Sequence, residues 1–462
     1  MSTQPTDPRT TPPAVEGAAR SELALFTDLY ELTMLQAYFE QGMTDEAVFS
    51  LFVRRLPARR NFLLSCGLDS VLDYLEGLRF RADDIAYLRS LDRFSEAFLA
   101  WLRELRFTGE VRAVPEGTPV FANEPLLEIA APLPQAQLVE TFVINQIQLQ
   151  TLLASKAQRV VQAAQGRAVI DFGARRMHGI DAAMKAARAY YIAGVTASSN
   201  VLAGKRYRIP VAGTMAHSYI QAHEDEAQAF ADFARIYPST VLLVDTYDTI
   251  AGVRKVVDLA RTLGEDFRVQ AVRLDSGDLL ALARGAREVL DGAGLTQVEI
   301  FASGSLDEDA IAALLAAGAP IDGFGVGTAM GVSSDAPSLD IAYKLTEYAG
   351  KGRLKLSSGK PVLPGRKQVF RSERDGQASG DTIARAGEDG PGRALLVPVM
   401  RAGKRLPAAT LALDAIRRYA QEQISRLPAP VRAIAAADPP YPVKSSAQLS
   451  RFQQQVARDV AG

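Results

Sequence analysis

Between about residues 150 and 345 the chain repeats one pattern: a short apolar run stops abruptly at Gly, Asp, Ser, Thr, Arg or His. Arg167-Ala-Val-Ile runs into Asp171-Phe-Gly-Ala-Arg-Arg176, and Tyr207-Arg-Ile-Pro-Val-Ala runs into Gly213-Thr-Met-Ala-His-Ser218. Ser239-Thr-Val-Leu-Leu-Val runs into Asp245-Thr-Tyr-Asp248, and Val269-Gln-Ala-Val runs into Arg273-Leu-Asp-Ser-Gly-Asp278. Val298-Glu-Ile-Phe-Ala runs into Ser303-Gly-Ser, and Ile321-Asp-Gly-Phe runs into Gly325-Val-Gly-Thr328. Short apolar runs with polar ends predict buried parallel strands. The stretches between them, at 181–190, 249–263, 279–290 and 307–317, carry apolar residues at helical intervals. Gly264, Gly292 and Gly318 fall where helix C-caps are expected. Six or seven β/α units of this size predict a closed or nearly closed (β/α) barrel, whose chemistry sits at the C-terminal strand ends. Asp and Gly alone serve as turn formers, but turns do not call for Arg176, His217 and Arg273 beside them.

A chain of 462 residues exceeds one ordinary core. The expected fold class is α/β, with a barrel-like core domain and a smaller α+β domain built from the N-terminal region and a later C-terminal segment. Residues 1–20 read as a disordered Pro/Thr/Ala-rich tail. The N-terminal α+β domain spans 21–150 and is completed by about 346–405; the barrel domain with the active site spans 151–345. Residues 406–462 read as a helix, at 408–427, followed by a loosely held tail. The polar, Gly-rich stretch 373–393 reads as a flexible loop.

Composition narrows the function classes. A net charge of −1 with 48% hydrophobic and 23% charged residues gives no basic excess for nucleic acid or an anionic membrane surface. One cysteine, Cys66, excludes an internal disulfide, and three histidines make a structural zinc site improbable. No signal peptide or run of membrane-spanning length is read, so cytoplasmic residence is expected.

Several motifs lift the chain out of anonymity. Thr27-Asp-Leu-Tyr-Glu-Leu-Thr-Met34 resembles the opening motif of the nicotinate phosphoribosyltransferases. The strand-end motifs at 171–176, 213–218, 273–278 and 324–328 resemble the same family, as do Lys355-Leu-Ser-Ser-Gly-Lys360 and Leu363-Pro-Gly-Arg-Lys-Gln368. The resemblance covers about residues 22–425 in order. It implies transfer of the phosphoribosyl group of phosphoribosyl pyrophosphate to nicotinate, coupled to ATP hydrolysis through a phosphorylated histidine. It also implies Mg²⁺, ATP as co-substrate, and a homodimer whose active sites are shared.

Residue chemistry can be set against those implications. By resemblance, Tyr30 faces the nicotinate ring, Thr214 and Arg273 contact nicotinate, Thr328 contacts phosphoribosyl pyrophosphate, and His217 is phosphorylated. A guanidinium with a hydroxyl suits a planar carboxylate, and Phe172 joins Tyr30 as an aromatic candidate. Phosphate needs backbone amides free of Cβ interference, which points to Ser303, Gly304, Gly325, Gly327 and Thr328. Arg175 or Arg176 offers a cation to the pyrophosphate. Asp245 and Asp275 lie nearest their strand ends, suited to an oxocarbenium-like sugar centre or to Mg²⁺, whereas Asp278 reads as a helix N-terminal residue. A neutral imidazole can attack a phosphoryl group, so His217 is a candidate nucleophile; His178 and His223 read as structural. The rival readings are a related transferase acting on nicotinamide or quinolinate, and a catalytically silent barrel serving as a binding subunit.

Overall fold

Six parallel strands form, five of them where the apolar runs predict them: β1 (Ala168–Asp171), β2 (Ala197–Ser198, which no run predicted), β3 (Val241–Leu243), β4 (Ala271–Leu274), β5 (Glu299–Ser303) and β6 (Gly323–Val326). In this computed structural model, which describes residues 20–356 and 362–461, they lie in the order β2-β1-β6-β5-β4-β3. Followed round, that is the sequential order of a (β/α) barrel left open between β2 and β3. The pairings Gly323↔Ala168, Glu299↔Ala271 and Val241↔Ala271 bring the C-terminal strand ends to one mouth.

The opening has a local cause. The segment expected as a strand at 207–212 makes only an isolated bridge, Ser198↔Val211. Tyr207 ends the helix Val201–Tyr207, and Pro210 has no N–H to offer a ladder. The chain therefore slides along β2 and crosses the gap as 213–216 before the short helix His217–Gln221 begins.

The helices follow their sequence signals. Asp248 caps Thr249–Leu263, its side chain accepting from the Ala251 amide at 2.7 Å. Asp278 caps Leu279–Gly292, accepting from the amides of Leu280 and Ala281. Asp307 does the same for Glu308–Ala316.

A second sheet, antiparallel throughout, mixes early and late chain. Its central strands Glu46–Val53, Pro125–Pro132 and Glu110–Ala113 are flanked by Ile341–Tyr348 on one side and Val397–Arg401 on the other. The 24-residue helix Glu140–Ala163 joins the two bodies: Phe142, Val143, Ile147 and Leu152 pack in the antiparallel core, while Leu153, Ala157 and Val160 pack in the parallel one. The fold is thus mixed α/β, a curled parallel half-barrel beside separate sheets.

Two expectations fail. The stretch 373–393 is no flexible loop: Lys367–Arg374 and Gln377–Arg385 form a hairpin, held inside by the buried ion pair Arg371–Asp381 at 2.6 Å. The end of the chain is not loosely held either. Val443–Ser445 pairs in parallel with Gln377–Arg385, and the helix Ala447–Ala461 buries Leu449 and Val456. The tail expected at 1–20 lies outside the described residues up to residue 19, as does 357–361 of the late motif.

Candidate active site

The mouth of the parallel sheet gathers the strand-end motifs into one hydrogen-bonded group. Asp245, just past β3, accepts through Oδ2 from the Asp275 backbone N–H at 2.9 Å and from Ser276 Oγ at 2.7 Å. Asp275, just past β4, accepts through Oδ1 from Ser303 Oγ at the end of β5. The Asp275 Oδ2 atom lies 3.7 Å from His217 Nε2. The other ring nitrogen, Nδ1, is 3.1 Å from Thr246 Oγ1. Three strand ends and the crossing segment therefore fix one imidazole between a hydroxyl and a carboxylate.

Beside it, Arg273 rises from β4 and donates from Nη1 to Thr214 Oγ1 at 2.8 Å. Its Nη2 lies 4.0 Å from Asp275 Oδ1. Burial holds the guanidinium below its ordinary pKa, against the pull of Asp275 and Asp245; the Arg175 charge lowers it further. Arg273 Nε is buried and has no partner among the described residues. A desolvated cation with an unused donor is what a carboxylate ligand would complete.

The Phe172 ring stands 5.8 Å from that guanidinium. Its seat is prepared from below: a Cβ on Gly325 would stand 2.4 Å from the ring, so Gly325, buried in β6, makes room for Phe172. Asp171 locks the preceding turn. Its two oxygens accept from the Gly173 amide and from Ser198 Oγ, each at 2.7 Å, and burial raises its pKa in spite of both bonds. Gly304 likewise answers a packing need, since with φ +89° its Cβ would fall 1.8 Å from the Asp275 carbonyl oxygen. Ser303, buried, orients Asp275. Of the residues expected to receive phosphate, Thr328 stands exposed at the start of the short helix Thr328–Gly331, with Gly327 before it. Arg175 and Arg176 are exposed on the turn after β1.

Tyr30 is placed elsewhere. It sits near the start of the helix Leu29–Glu40, its hydroxyl 3.4 Å from Glu31, with Glu140 and Asp28 as its charged neighbours. No hydrogen bond or ring contact among the described residues joins it to Phe172, Thr214 or Arg273. It is 47% exposed, next to Phe26 at 43% and Leu29 at 44%. Elsewhere, His223 Nδ1 bonds the Tyr219 carbonyl.

Sequence reasoning passed over Thr246, Ser276, Asp171 and Ser198. Thr246 and Ser276 each follow a selected aspartate directly, so their motifs held the signal. Ser198 had none, because a two-residue strand shows no periodicity.

Comparison with known proteins gives the family. The model of the nicotinate phosphoribosyltransferase N-terminal domain matches residues 25–148, and that of the nicotinate phosphoribosyltransferase family matches residues 168–382. The nicotinate phosphoribosyltransferase pncB2 of Mycobacterium tuberculosis is 56% identical over 426 residues, 92% of each chain. The nicotinate phosphoribosyltransferase of Bacillus subtilis is 42% identical over 378 residues, 80% of this chain and 77% of its own. The crystal structure of human nicotinic acid phosphoribosyltransferase superposes with a TM-score of 0.83 at 29% identity, covering 93% of this chain and all of that one.

Proposed function

The chain belongs to the nicotinate phosphoribosyltransferase family, and from that premise we propose how the mouth of its parallel sheet carries out the reaction. It is a pentosyltransferase: it moves the phosphoribosyl group of phosphoribosyl pyrophosphate to nicotinate, giving nicotinate mononucleotide and pyrophosphate in the first step of NAD biosynthesis from nicotinate. Nicotinamide or quinolinate as substrate is not favoured, since these relatives are named for nicotinate. Nor is a silent binding subunit, because His217, Arg273 and Thr328 are all in place.

The observation that carries our reading is Arg273, mostly shielded from solvent, cationic and with its buried Nε unused. In the proposal it holds the nicotinate carboxylate with Thr214, while Phe172 covers one face of the pyridine ring. The ring nitrogen attacks the anomeric carbon as pyrophosphate departs. It carries no proton to remove, so His217 has no work as a general base. Asp245 and Asp275 offer negative charge to an oxocarbenium-like sugar centre. Arg175 and the turn Gly327-Thr328 receive the phosphates, with Arg176 as a second cation at the rim; Ser303, Gly304 and Gly325 hold Asp275 and Phe172 in place.

Coupling to ATP runs through His217. In the tautomer whose Nδ1–H donates to Thr246 Oγ1, Nε2 keeps its lone pair and attacks the γ-phosphorus of ATP; an N–P bond forms, the P–O bond breaks and ADP leaves. Water then hydrolyses the phosphohistidine to phosphate. The residues suit Mg²⁺ as well. Asp245 Oδ1 is buried without a hydrogen-bond partner, and no group of three or more His, Cys, Asp or Glu among the described residues would cage a metal alone. That matches an ion held by one or two carboxylates together with substrate phosphates. When bound, Mg²⁺ neutralises charge on the pyrophosphate.

Tyr30 enters through a homodimer, reaching the second face of nicotinate in the mouth of another copy. Its exposure beside Phe26 and Leu29, and the exposed apolar rim at Ile180, Val201, Leu202, Val211 and Tyr247, support that arrangement. We place the protein in the cytoplasm beside phosphoribosyl pyrophosphate and ATP, charged phosphates that do not cross membranes unaided; no helix among the described residues is long and apolar enough to span one.

Purified protein given phosphoribosyl pyrophosphate, Mg²⁺, ATP and either nicotinate, nicotinamide or quinolinate tests the reading. Nicotinate mononucleotide from nicotinate is expected, with the amide and the diacid far slower. Equal use of nicotinamide would overturn the role given to Arg273.

A further inference from the structure

Away from the mouth, a cavity of about 500 Å³ lies between the antiparallel sheet, the hairpin 367–385 and the C-terminal segment 440–453. That size suits a small organic ligand. Its walls are chiefly apolar: the rings of Phe52, Phe121 and Tyr441, with Ile383 and Val443. One wall is rigid. Phe121 and Tyr441 stack with centroids 4.0 Å apart and planes 10° from parallel. Arg371 lies over both rings and is tied to Asp381, which also accepts from the Tyr441 hydroxyl at 2.9 Å.

The polar groups of the lining point to one sign of charge. Among the described residues the lining holds no carboxylate, yet it holds two lysines and the amides of Asn61, Asn123 and Gln453. Lys367 is committed, 3.0 Å from Glu128. Lys444 is exposed at the rim and makes no ion pair among the described residues. Behind the wall, burial and then the Asp381 charge push the Glu124 carboxyl well above the usual range. We propose that this cavity is a second small-molecule site, taking a planar aromatic anion whose ring lies against Phe121 and Tyr441 and whose charge meets Lys444. None of its lining residues belongs to the mouth, so the proposal stands independently of the transferase mechanism.

Anilinonaphthalene sulfonate, an aromatic anion that fluoresces when desolvated, is the probe. With the full chain saturated in nicotinate and phosphoribosyl pyrophosphate, so that the mouth is filled, a saturable fluorescence titration is expected. Lys444→Glu should weaken it about tenfold or more, the loss of one charge-assisted contact. Val443→Trp, which fills the cavity, should abolish it, and both variants should keep the parent's turnover. No saturable binding, or binding that neither variant alters, overturns the proposal. Should Val443→Trp fail to fold, the exposed Lys444→Glu and a crystal soaked with the probe decide: density for the probe anywhere but this cavity refutes it.

Discussion

Arg273→Ala is the perturbation whose size the geometry constrains best. The side chain is 11% exposed, bonds Thr214 through Nη1, and keeps Nε buried without a partner. A carboxylate taking two of its N–H groups gains about 1.5–3 kcal/mol per charge-assisted bond, or about 3–6 kcal/mol gross. Subtracting the water contacts and ordering of the free site leaves about 3 kcal/mol, a loss of about a hundredfold in kcat/KM for nicotinate. Stability should change little, because the variant loses the bond to Thr214 but also removes an unsatisfied buried donor. Steady-state kinetics with nicotinate and with phosphoribosyl pyrophosphate as the varied substrate make the test. The nicotinate parameter should collapse, the KM for phosphoribosyl pyrophosphate should hold, and the preference for acid over amide should narrow. A nicotinate kcat/KM within about threefold of the parent, under about 0.7 kcal/mol, would refute the carboxylate clamp.

Three more expectations follow from particular contacts. His217→Ala should keep slow phosphoribosyl transfer but lose its stimulation by ATP, so unchanged stimulation in a coupled assay counts against the phosphohistidine. Gly304→Ala forces a Cβ toward the Asp275 carbonyl at a left-handed φ, costing about 2 kcal/mol or more and displacing Asp275; denaturant midpoint and turnover should both fall, and a variant matching the parent in both would be evidence against that packing. For Asp335, burial raises the carboxyl, but Lys156 and Arg60 outweigh it and hold its pKa at about 2. The folded value lies below the unfolded value of about 3.9, so the contribution is full at neutral pH and is lost as pH falls from about 4 to about 2. Asp335→Asn should flatten urea stability across that window; an undiminished acid slope would mean that the ion pairs of Asp335 with Arg60 at 3.0 Å and Lys156 at 2.8 Å do not stabilise the fold.

How much of this was legible depended on where each signal lived. The helix Thr249–Leu263 could be read to the residue, because Asp248 and Gly264 bracket a regular apolar stripe. The strand-end motifs marked the mouth, because parallel strands put their polar endings on one face. The 207–212 segment misled: its apolar content suggested a strand, but Pro210 and the end of the preceding helix prevent a ladder. The second strand of the 367–385 hairpin, Gln377–Arg385, was hidden because Asp381, polar in sequence, faces inward in an ion pair with Arg371. The final helix was hidden because it buries little beyond Leu449 and Val456. Tyr30 shows a different limit. Its motif drew attention to the residue, but among the described residues its hydroxyl lies near Glu31 and no hydrogen bond or ring contact joins it to Phe172.

The direct measurement of the central claim, a mouth built to couple ATP to phosphoribosyl transfer through one imidazole, is transfer of label from γ-phosphate-labelled ATP to the protein. The account predicts an acid-labile, base-stable phosphate on His217 that disappears when nicotinate and phosphoribosyl pyrophosphate are added. ATP-stimulated formation of nicotinate mononucleotide with no phosphate on His217 would contradict it.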